Sequence, residues 1–439
     1  MQTFLITIFT FLSIASFWFF LRGKLKFSPL WIMLSAWFLA IAISQLYLSR
    51  LEVVWPTKYW VLVFISLASF ALGVWAFSHP RLDLWSKKWI PAFAGMGVKA
   101  GMGVKAGMGE EKGSMIKKLR LVIYFLFLAS LVGLYMFYTR AGNFPLLTQN
   151  PDEFRFIADE QVPGLINYAA QLARIFIPLS FFLIFFQGFS WRKHWDISLI
   201  GLVGLTGLIL FASRTQIFLI DLWVMALYLF IRKPSFRQAV KFYPIFLLVS
   251  ILVLAIVPLF RQYKSYGADY LGVITGIDTS HYNAVQKALV PIYVGVSFNQ
   301  QALLHSWQYY QTHPLQYGKV TLDPFTNILG LDQFKSQYDL GAIFYPWWNT
   351  GTYLFPFVQD FGESAFYFTP FVIAGILTLA WKYSQANPNF LSINLYAYAM
   401  FFIVMTVYLS FTVRAEMYID LFLLGLSYVY ISKINYAQS

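Results

Sequence analysis

The sequence predicts an all-α polytopic membrane protein of about eleven transmembrane helices. Of its 439 residues, 59% are hydrophobic and only 12% are charged, whereas soluble domains carry roughly a quarter charged residues. Uncharged apolar runs close to the ~20 residues that cross the hydrocarbon core recur along the chain. Because backbone polar groups in lipid must be satisfied within the segment, each run is predicted to be an α-helix.

We interpret eleven such runs as transmembrane helices. Their lengths of 16 to 24 residues lie near the ~20 residues at which a helix is about 30 Å long. The runs cover residues 2–21, 28–47, 59–77, 121–138, 165–188, 197–212, 216–231, 243–260, 363–381, 390–411 and 416–432.

The distribution of charge predicts the orientation. With the N-terminus outside, the loops after helices 1, 3, 5, 7 and 9 and the C-terminus lie in the cytoplasm. These segments hold 20 of the 32 Lys and Arg residues but only four of the 19 acidic residues. An excess of positive charge on the cytoplasmic side is the usual topogenic signal. We therefore attribute the net charge of +13 to topology and not to nucleic-acid binding.

This topology divides the chain into five segments. They are 1–77 with helices 1–3, 78–120 as a cytoplasmic loop, 121–260 with helices 4–8 and a first periplasmic loop at 139–164, 261–362 as a large periplasmic loop, and 363–439 with helices 9–11. The cytoplasmic loop contains Gly95-Met96-Gly97-Val98-Lys99-Ala100, repeated at 101–106. Glycine at this density disfavours regular structure, so we expect a flexible tether. Binding of anionic lipid through its lysines is the alternative.

The segment 261–362 is too long to be a simple connection. Loops longer than about 15 residues that carry their own order are usually functional. Residues 282–310 are compatible with a helix, and Phe344-Tyr345-Pro346-Trp347-Trp348 is a dense aromatic run. Because Trp and Tyr favour the headgroup level of a membrane, we expect this run to lie on the membrane surface. Stacking of Trp347 and Trp348 on sugar rings is the alternative.

Six arginines on or near the outward side predict a phosphate-binding cavity. Arginine at membrane depth is costly and usually faces the protein interior or a polar cavity. Its fork of donors suits phosphate or carboxylate. In the alternative interpretation each arginine pairs with a nearby acid, for example Arg214 with Asp221 and Arg414 with Glu416. The six are Arg140, Arg155, Arg174, Arg214, Arg261 and Arg414.

Acids and histidines on the same side are candidates for proton transfer. Asp360 and Glu363 lie where the long loop re-enters the membrane, and His305 and His313 lie within that loop. Either type of side chain can act as general base for a sugar hydroxyl. In the alternative interpretation the acids are ordinary solvent-exposed loop residues, which are commoner than catalytic ones. No His-x₃-His pair or carboxylate cluster has the spacing of metal ligands, and the chain has no cysteine. We therefore expect no metal, no cofactor and no thiol chemistry.

Four short motifs share the predicted outward side. Gly142-Asn143-Phe144-Pro145-Leu146-Leu147 precedes Arg155, and Ser213-Arg214-Thr215 forms a tight junction. His313-Pro314-Leu315-Gln316-Tyr317-Gly318 lies in the long loop, and Asn349-Thr350-Gly351-Thr352-Tyr353-Leu354 is followed by Asp360-Phe361-Gly362. In their order and sidedness these motifs resemble the Wzy-type O-antigen (oligosaccharide repeat-unit) polymerases, over roughly residues 120–380.

The resemblance implies an inverting glycosyltransferase of the multi-helix class that acts on lipid-linked sugars. Such enzymes polymerise undecaprenyl-diphosphate-linked repeat units at the periplasmic face of the bacterial inner membrane, in lipopolysaccharide and related polysaccharide biosynthesis. A chain-length regulator and a flippase are the expected partners. The expected catalytic residues are Arg155, Arg261, Arg214 and Asp360. The expected substrate-binding residues are Arg174, Arg140, His305, His313, Tyr317, Asn349 and Tyr353.

Two other functions fit parts of this pattern. An O-antigen ligase would share the helices, the long loop and the arginines, and the motif at 349–362 favours the polymerase. A lipid-linked-sugar transporter or flippase would place charge in many helices and contain internal repeats. The hundred-residue outward loop favours an enzyme over a transporter.

Overall fold

A computed structural model defines the fold for part of the chain. The GMGVKA repeat, most of the predicted helix at 243–260, Trp347 and Asn349 lie outside the described residues. Every regular element of the described residues is helical. The structure describes residues 2–22, 27–79, 108–188, 190–234, 237–238, 241, 244, 246, 248–252, 255, 261, 267, 270–328, 331, 340–346, 348 and 350–432.

Eight helical segments of the described residues are long and apolar enough to cross a membrane. Pro29–Ser44 and Phe390–Met405 are apolar but shorter. The class of multi-pass α-helical membrane protein is therefore confirmed, whereas the number of eleven spans and the orientation stay predictions. The eight segments are Gln2–Arg22, Thr57–Ser78, Gly113–Ala141, Gly164–Gln187, Trp191–Leu210, Arg214–Arg232, Phe355–Ala386 and Ala415–Ser432.

The helices are numbered in chain order and belong to two compact units. Unit 1 comprises Met1–Asp83, Leu271–Pro388 and Ala399–Ile419, and unit 2 comprises Leu84–Tyr270, Asn389–Tyr398 and Asp420–Ser439. The helices are α1 (Gln2–Arg22), α2 (Pro29–Ser44), α3 (Thr57–Ser78), α4 (Met108–Ala141), α5 (Pro151–Gln161), α6 (Gly164–Ala170), α7 (Ala173–Gln187), α8 (Trp191–Leu210), α9 (Arg214–Arg232), α10 (Tyr270–Thr275), α11 (Ala284–Tyr310), α12 (Asp323–Ile328), α13 (Leu340–Ile343), α14 (Phe355–Phe361), α15 (Ala365–Ala386), α16 (Phe390–Met405) and α17 (Ala415–Ser432).

Unit 1 contains a close pair of spanning helices, α3 and α15. A Cβ at Gly73 would lie 2.7 Å from the carbonyl oxygen of Phe371, so only glycine allows the two backbones to approach this closely. Small residues at such crossings are usual in membranes, where packing rather than the hydrophobic effect holds helices together. Gly73 therefore fixes the distance between α3 and α15.

The long helix α11 confirms the helix predicted at 282–310. Asn283 and Gln286 form a capping box at its start, which satisfies backbone donors that would otherwise lack partners. Its side chains form hydrogen bonds with the backbone of the segment that connects α2 and α3. The Tyr293 hydroxyl accepts from Leu48 N at 2.8 Å, and the Gln301 amide exchanges two bonds with the backbone of Val53. The predicted loop therefore contributes a packed helix to unit 1.

Unit 2 is built around α4 and the broken helix formed by α6 and α7. A Cβ at Gly133 on α4 would lie 2.4 Å from Ala170 N, and the Ser130 hydroxyl donates to Ala170 O at 3.1 Å. The break at residues 171–172 interrupts the single helix predicted at 165–188. Pro178 lies within α7 and lacks the N–H that would bond Arg174 O, so the first turn of α7 is weakened just after the break.

Candidate functional site

The helix α5 begins at residues whose chemistry favours a helix start. Asn150 is the N-cap and accepts from Glu153 N at 3.5 Å, while its own amide donates to the Glu153 carboxylate at 2.7 Å. Pro151 occupies the first helical position, where its missing N–H has no cost. Asp152 and Glu153 place negative charge in the first turn, which the helix dipole stabilises. This short helix carries Arg155.

Arg155 lines a pocket at one end of unit 2. The pocket is small and open to solvent, with a cavity volume of about 40 Å³. Its polar groups are two amides, a hydroxyl and a guanidinium, and the amides are joined by a 2.8 Å bond from Gln171 to Asn167. The lining residues are Phe137, Pro145, Arg155, Ala158, Asn167, Gln171, Phe211 and Ser213.

An aromatic cluster forms part of the wall of this pocket. The rings of Phe137 and Phe211 meet edge to face with centroids 4.6 Å apart, and Phe144 stacks on Phe137 at 5.9 Å. Phe137, Phe211, Ala158 and Val162 are buried, and the half-buried Phe144 packs against them. Edge-to-face and offset stacks are favourable geometries for aromatic rings. The pocket walls are therefore set by packed side chains.

Two more of the predicted catalytic arginines lie in unit 2. Arg214 is the first residue of α9 and follows Ser213, which lines the pocket. Arg261 forms an ion pair with Asp152, with 2.6 Å between Nε and the nearer carboxylate oxygen. Asp152 lies one turn before Arg155 on α5. Unit 2 thus contains three of the four residues expected to be catalytic.

Arg174 lies in a buried polar cluster of unit 2. Its Nε is 3.1 Å from Asp420 Oδ1, and its guanidinium carbon lies 4.3 Å from the centre of the Tyr168 ring. Tyr168 and Tyr398 both donate hydrogen bonds to Asp420, at 2.7 and 3.0 Å. These contacts give Arg174 a structural partner that is distant in sequence. Arg140, in the last turn of α4, is exposed, and binding of substrate by either arginine stays a prediction.

Asp360 is fully buried in unit 1 and fixes a loop. One carboxylate oxygen accepts from Val320 N at 3.1 Å, and the other accepts from the backbone and hydroxyl of Thr321. The same loop presents Tyr317, which is 79% exposed and has a positive φ of 49°. Asp360 therefore holds this loop in place, while Tyr317 is open to a ligand.

The other predicted residues of unit 1 differ in exposure. His313 is exposed and stacks on Tyr309 with ring centroids 3.7 Å apart. His305 is half-buried, which lowers the pKa of its imidazole. Tyr353 is fully buried, contacts Trp37 edge to face, and its N–H donates to Thr406 O at 2.9 Å. Of these three residues, which the sequence predicted to bind substrate, only His313 is exposed to solvent.

In the aromatic run at 344–348, Phe344 and Trp348 are buried and not on the surface as predicted. Phe344 and Trp348 are only 9% and 8% exposed. Their rings lie 5.7 and 5.5 Å from Phe298 on α11, and His305 lies 5.1 Å from Phe344. The prediction of interface anchoring is therefore wrong for these two rings, because the helix α11 offers them an apolar face. Stacking of Trp348 on a sugar is excluded for the same reason.

Sequence reasoning missed Glu52, an acid in the connection between α2 and α3. Its carboxylate accepts hydrogen bonds from the hydroxyls of Tyr293 and Ser297 and from Ser49 N at 2.9 Å. Burial raises the pKa of this carboxyl above its ordinary value, and the donors offset part of that rise. A raised carboxyl pKa is typical of functional acids, although buried structural networks show it too. No sequence pattern marks this lone residue.

No protein-family model matches the chain, and no curated protein or solved structure matches it.

Proposed function

We propose that this protein polymerises undecaprenyl-diphosphate-linked oligosaccharide repeat units at the periplasmic face of a bacterial inner membrane. The N-terminus is outside and the C-terminus is cytoplasmic in this proposal. The growing glycan is transferred from its lipid carrier to another lipid-linked unit. The products belong to O-antigen or related surface polysaccharides, and a chain-length regulator and a flippase act beside the enzyme.

The observation that carries the proposal is the donor-rich pocket around Arg155. The residues that line it come from the end of α4 and the segment after it, from α5, from α6 and the break after it, and from the junction of α8 with α9, where Arg214 follows. The Arg261–Asp152 pair joins another chain segment to α5. Guanidinium forks bind phosphate oxygens in pairs. Several arginines on separate segments of unit 2 favour binding of an anionic headgroup over binding of a neutral solute.

The chemistry needs little beyond charge stabilisation. The acceptor hydroxyl oxygen attacks the anomeric carbon on the face opposite the diphosphate, and the new C–O bond forms as the bond to the diphosphate oxygen breaks. The diphosphate leaves with the electron pair, and the hydroxyl proton passes to a general base. Fixed cationic donors stabilise the charge that develops on the leaving group. Arg155, Arg214 and Arg261 are the residues assigned to this task.

Deleting the gene and separating the surface polysaccharide on a gel tests this function. Loss of a polymerase leaves single repeat units attached to the lipid core. Loss of a ligase leaves long chains on the lipid carrier, and loss of a flippase leaves neither form at the surface. Long core-attached chains in the deletion strain would refute the proposal, and either alternative pattern would replace it.

A further inference from the structure

Gln171 lies at the break between α6 and α7, inside the apolar span Gly164–Gln187. A polar side chain within a spanning segment is costly unless it faces the protein interior or a polar cavity. Backbone that leaves the helix within a span likewise needs to be buried in protein or to line a cavity. Gln171 meets this condition, because it lines the small pocket that also contains Arg155. A polar residue in this position is a candidate for ligand binding.

The amide of Gln171 has one end occupied and one end open. Its Nε2 donates to Asn167 Oδ1 at 2.8 Å and to the carbonyl oxygen of the same residue at 3.4 Å. Both partners are acceptors, so the amide nitrogen faces Asn167 and Oε1 is left for another group. Oε1 has no hydrogen-bond partner among the residues that the structure describes, and the side chain is half-buried.

This open oxygen determines which part of a ligand Gln171 can bind. An amide oxygen only accepts hydrogen bonds. A diphosphate joined to carbon at both ends carries acceptor oxygens alone at neutral pH, so it has nothing to donate to Oε1. A sugar has hydroxyl donors, and an acetamido sugar has an N–H donor as well. The guanidinium of Arg155 has the opposite preference, because it only donates. The two sides of the pocket therefore suit the junction between a sugar and a diphosphate.

We propose that Gln171 binds the sugar joined directly to the diphosphate, by accepting a hydrogen bond from one of its donors through Oε1, while Arg155 binds the diphosphate. This inference rests on the proposed function and adds a specificity-determining residue to the same site. A cavity of about 40 Å³ has room for roughly three water molecules, so it holds one edge of a sugar ring and leaves the rest in solvent. Ser213 also lines the pocket, but a hydroxyl both donates and accepts and suits either part of the ligand.

The test measures the binding of two lipids to the purified full-length protein. One is undecaprenyl diphosphate without a sugar, and the other is the undecaprenyl-diphosphate-linked repeat unit extracted from the deletion strain. The variants are Gln171→Met, which keeps the length of the side chain but removes the amide, and Arg155→Met. Gln161→Met is the matched control, because Gln161 is an exposed glutamine of unit 2.

We expect the wild type to bind the repeat-unit lipid more tightly than the sugar-free lipid. Gln171→Met should weaken binding of the repeat-unit lipid about 5-fold, the usual effect of losing one neutral hydrogen bond. It should leave binding of the sugar-free lipid unchanged, which also shows that the variant is folded. Arg155→Met should weaken binding of both lipids, because both contain the diphosphate. Gln161→Met should match the wild type.

Gln171→Asn serves if Gln171→Met fails to fold. It keeps an amide but withdraws the oxygen by one methylene group, and it should lose the same preference for the repeat-unit lipid. Equal affinity of the wild type for the two lipids would overturn the inference, and so would an unchanged preference in both Gln171 variants. Either result leaves the proposed function intact.

The proposed function can fail separately. If the preference for the repeat-unit lipid depends on Gln171 but the wild type in liposomes forms no polymer from that lipid, the polymerase proposal fails and the sugar site stands. A deletion strain that accumulates no lipid-linked sugar would refute the proposed function and this inference together.

Discussion

Trp348 packs against Phe298 with ring centroids 5.5 Å apart. This contact packs the segment after α13 against the long helix α11. Trp348, which was predicted to lie on the membrane surface, is therefore buried. We predict that Trp348→Ala destabilises the protein by roughly 3–5 kcal/mol, the usual cost of removing a buried large aromatic side chain. The measurement is the midpoint of thermal unfolding in detergent. Tyr317→Ala is the control, because Tyr317 is 79% exposed, and an equal loss in both variants would contradict the packing described here.

Arg261→Lys is predicted to lose most polymerase activity while the protein still inserts into the membrane. An ammonium keeps the charge but cannot reproduce the planar fork by which, in the proposed function, Arg261 binds a phosphate group. Activity is measured as glycan chain length on a gel, and insertion by membrane fractionation. Arg50→Lys makes the same change at an exposed arginine of the α2–α3 connection and should retain activity. Wild-type chains from Arg261→Lys would remove Arg261 from the site.

Glu52 makes the stability of unit 1 depend on pH. Burial raises the pKa of its carboxyl in the folded state, so the folded protein holds this proton more tightly than the unfolded chain does. Stability is therefore lost as pH rises from the ordinary glutamate pKa of about 4.3 through the folded pKa. In Glu52→Gln this loss is absent, because the amide is neutral at every pH. The melting temperature of the wild type should therefore fall relative to that of Glu52→Gln as the pH rises. A constant difference between the two melting temperatures would contradict the prediction.

Asp420→Ala is predicted to prevent correct folding of unit 2. Removing the carboxylate leaves Arg174 as a buried charge without its ion-pair partner, and breaking a buried pair costs about 3–5 kcal/mol. Asp278→Ala, which removes an exposed acid, is the control and should change expression little. The amount of monodisperse protein after detergent extraction is the measurement. A normal yield of Asp420→Ala would show that the buried cluster around Arg174 contributes little to the folding of unit 2.

The absence of cysteine allows the orientation to be tested without background labelling. Cysteine is introduced singly at Glu160 and at Arg192, which are both exposed. A membrane-impermeant maleimide should label Glu160→Cys in intact cells and Arg192→Cys only after permeabilisation. The reverse pattern would mean that the positive-inside argument fails for this chain and that the pocket faces the cytoplasm.

Apolar runs predicted much of the fold. The spanning helices follow from run length, and the helix at 282–310 follows from its composition and is confirmed as α11. The break before α7 was not predicted, because hydropathy alone does not detect a helix that stops and resumes within one apolar run. Local sequence patterns therefore predicted where helices lie, but they did not predict the break within one of them.

Partners in the folded state were predicted less well. The sequence suggested Asp221 as a partner for Arg214, but Asp221 accepts a hydrogen bond from the hydroxyl of Ser250. The acid that pairs with Arg174 lies 246 residues away, beyond any local spacing rule. Glu52 and the burial of Trp348 were missed for the same reason, since both depend on the position of α11.

The pairing of Arg174 with Asp420 has a consequence for the order in which the protein is made. A ribosome completes α7 long before it reaches α17, so the membrane-insertion machinery receives a helix with an arginine and no counter-charge. Arg174 lies near the middle of the span Gly164–Gln187, and an arginine at that depth costs about 2.5–3.5 kcal/mol on insertion scales. We expect α7 to stay shielded during synthesis, and unit 2 to close only when the last helix arrives. Chains that stall before α17 would then be recognised as incomplete by quality control.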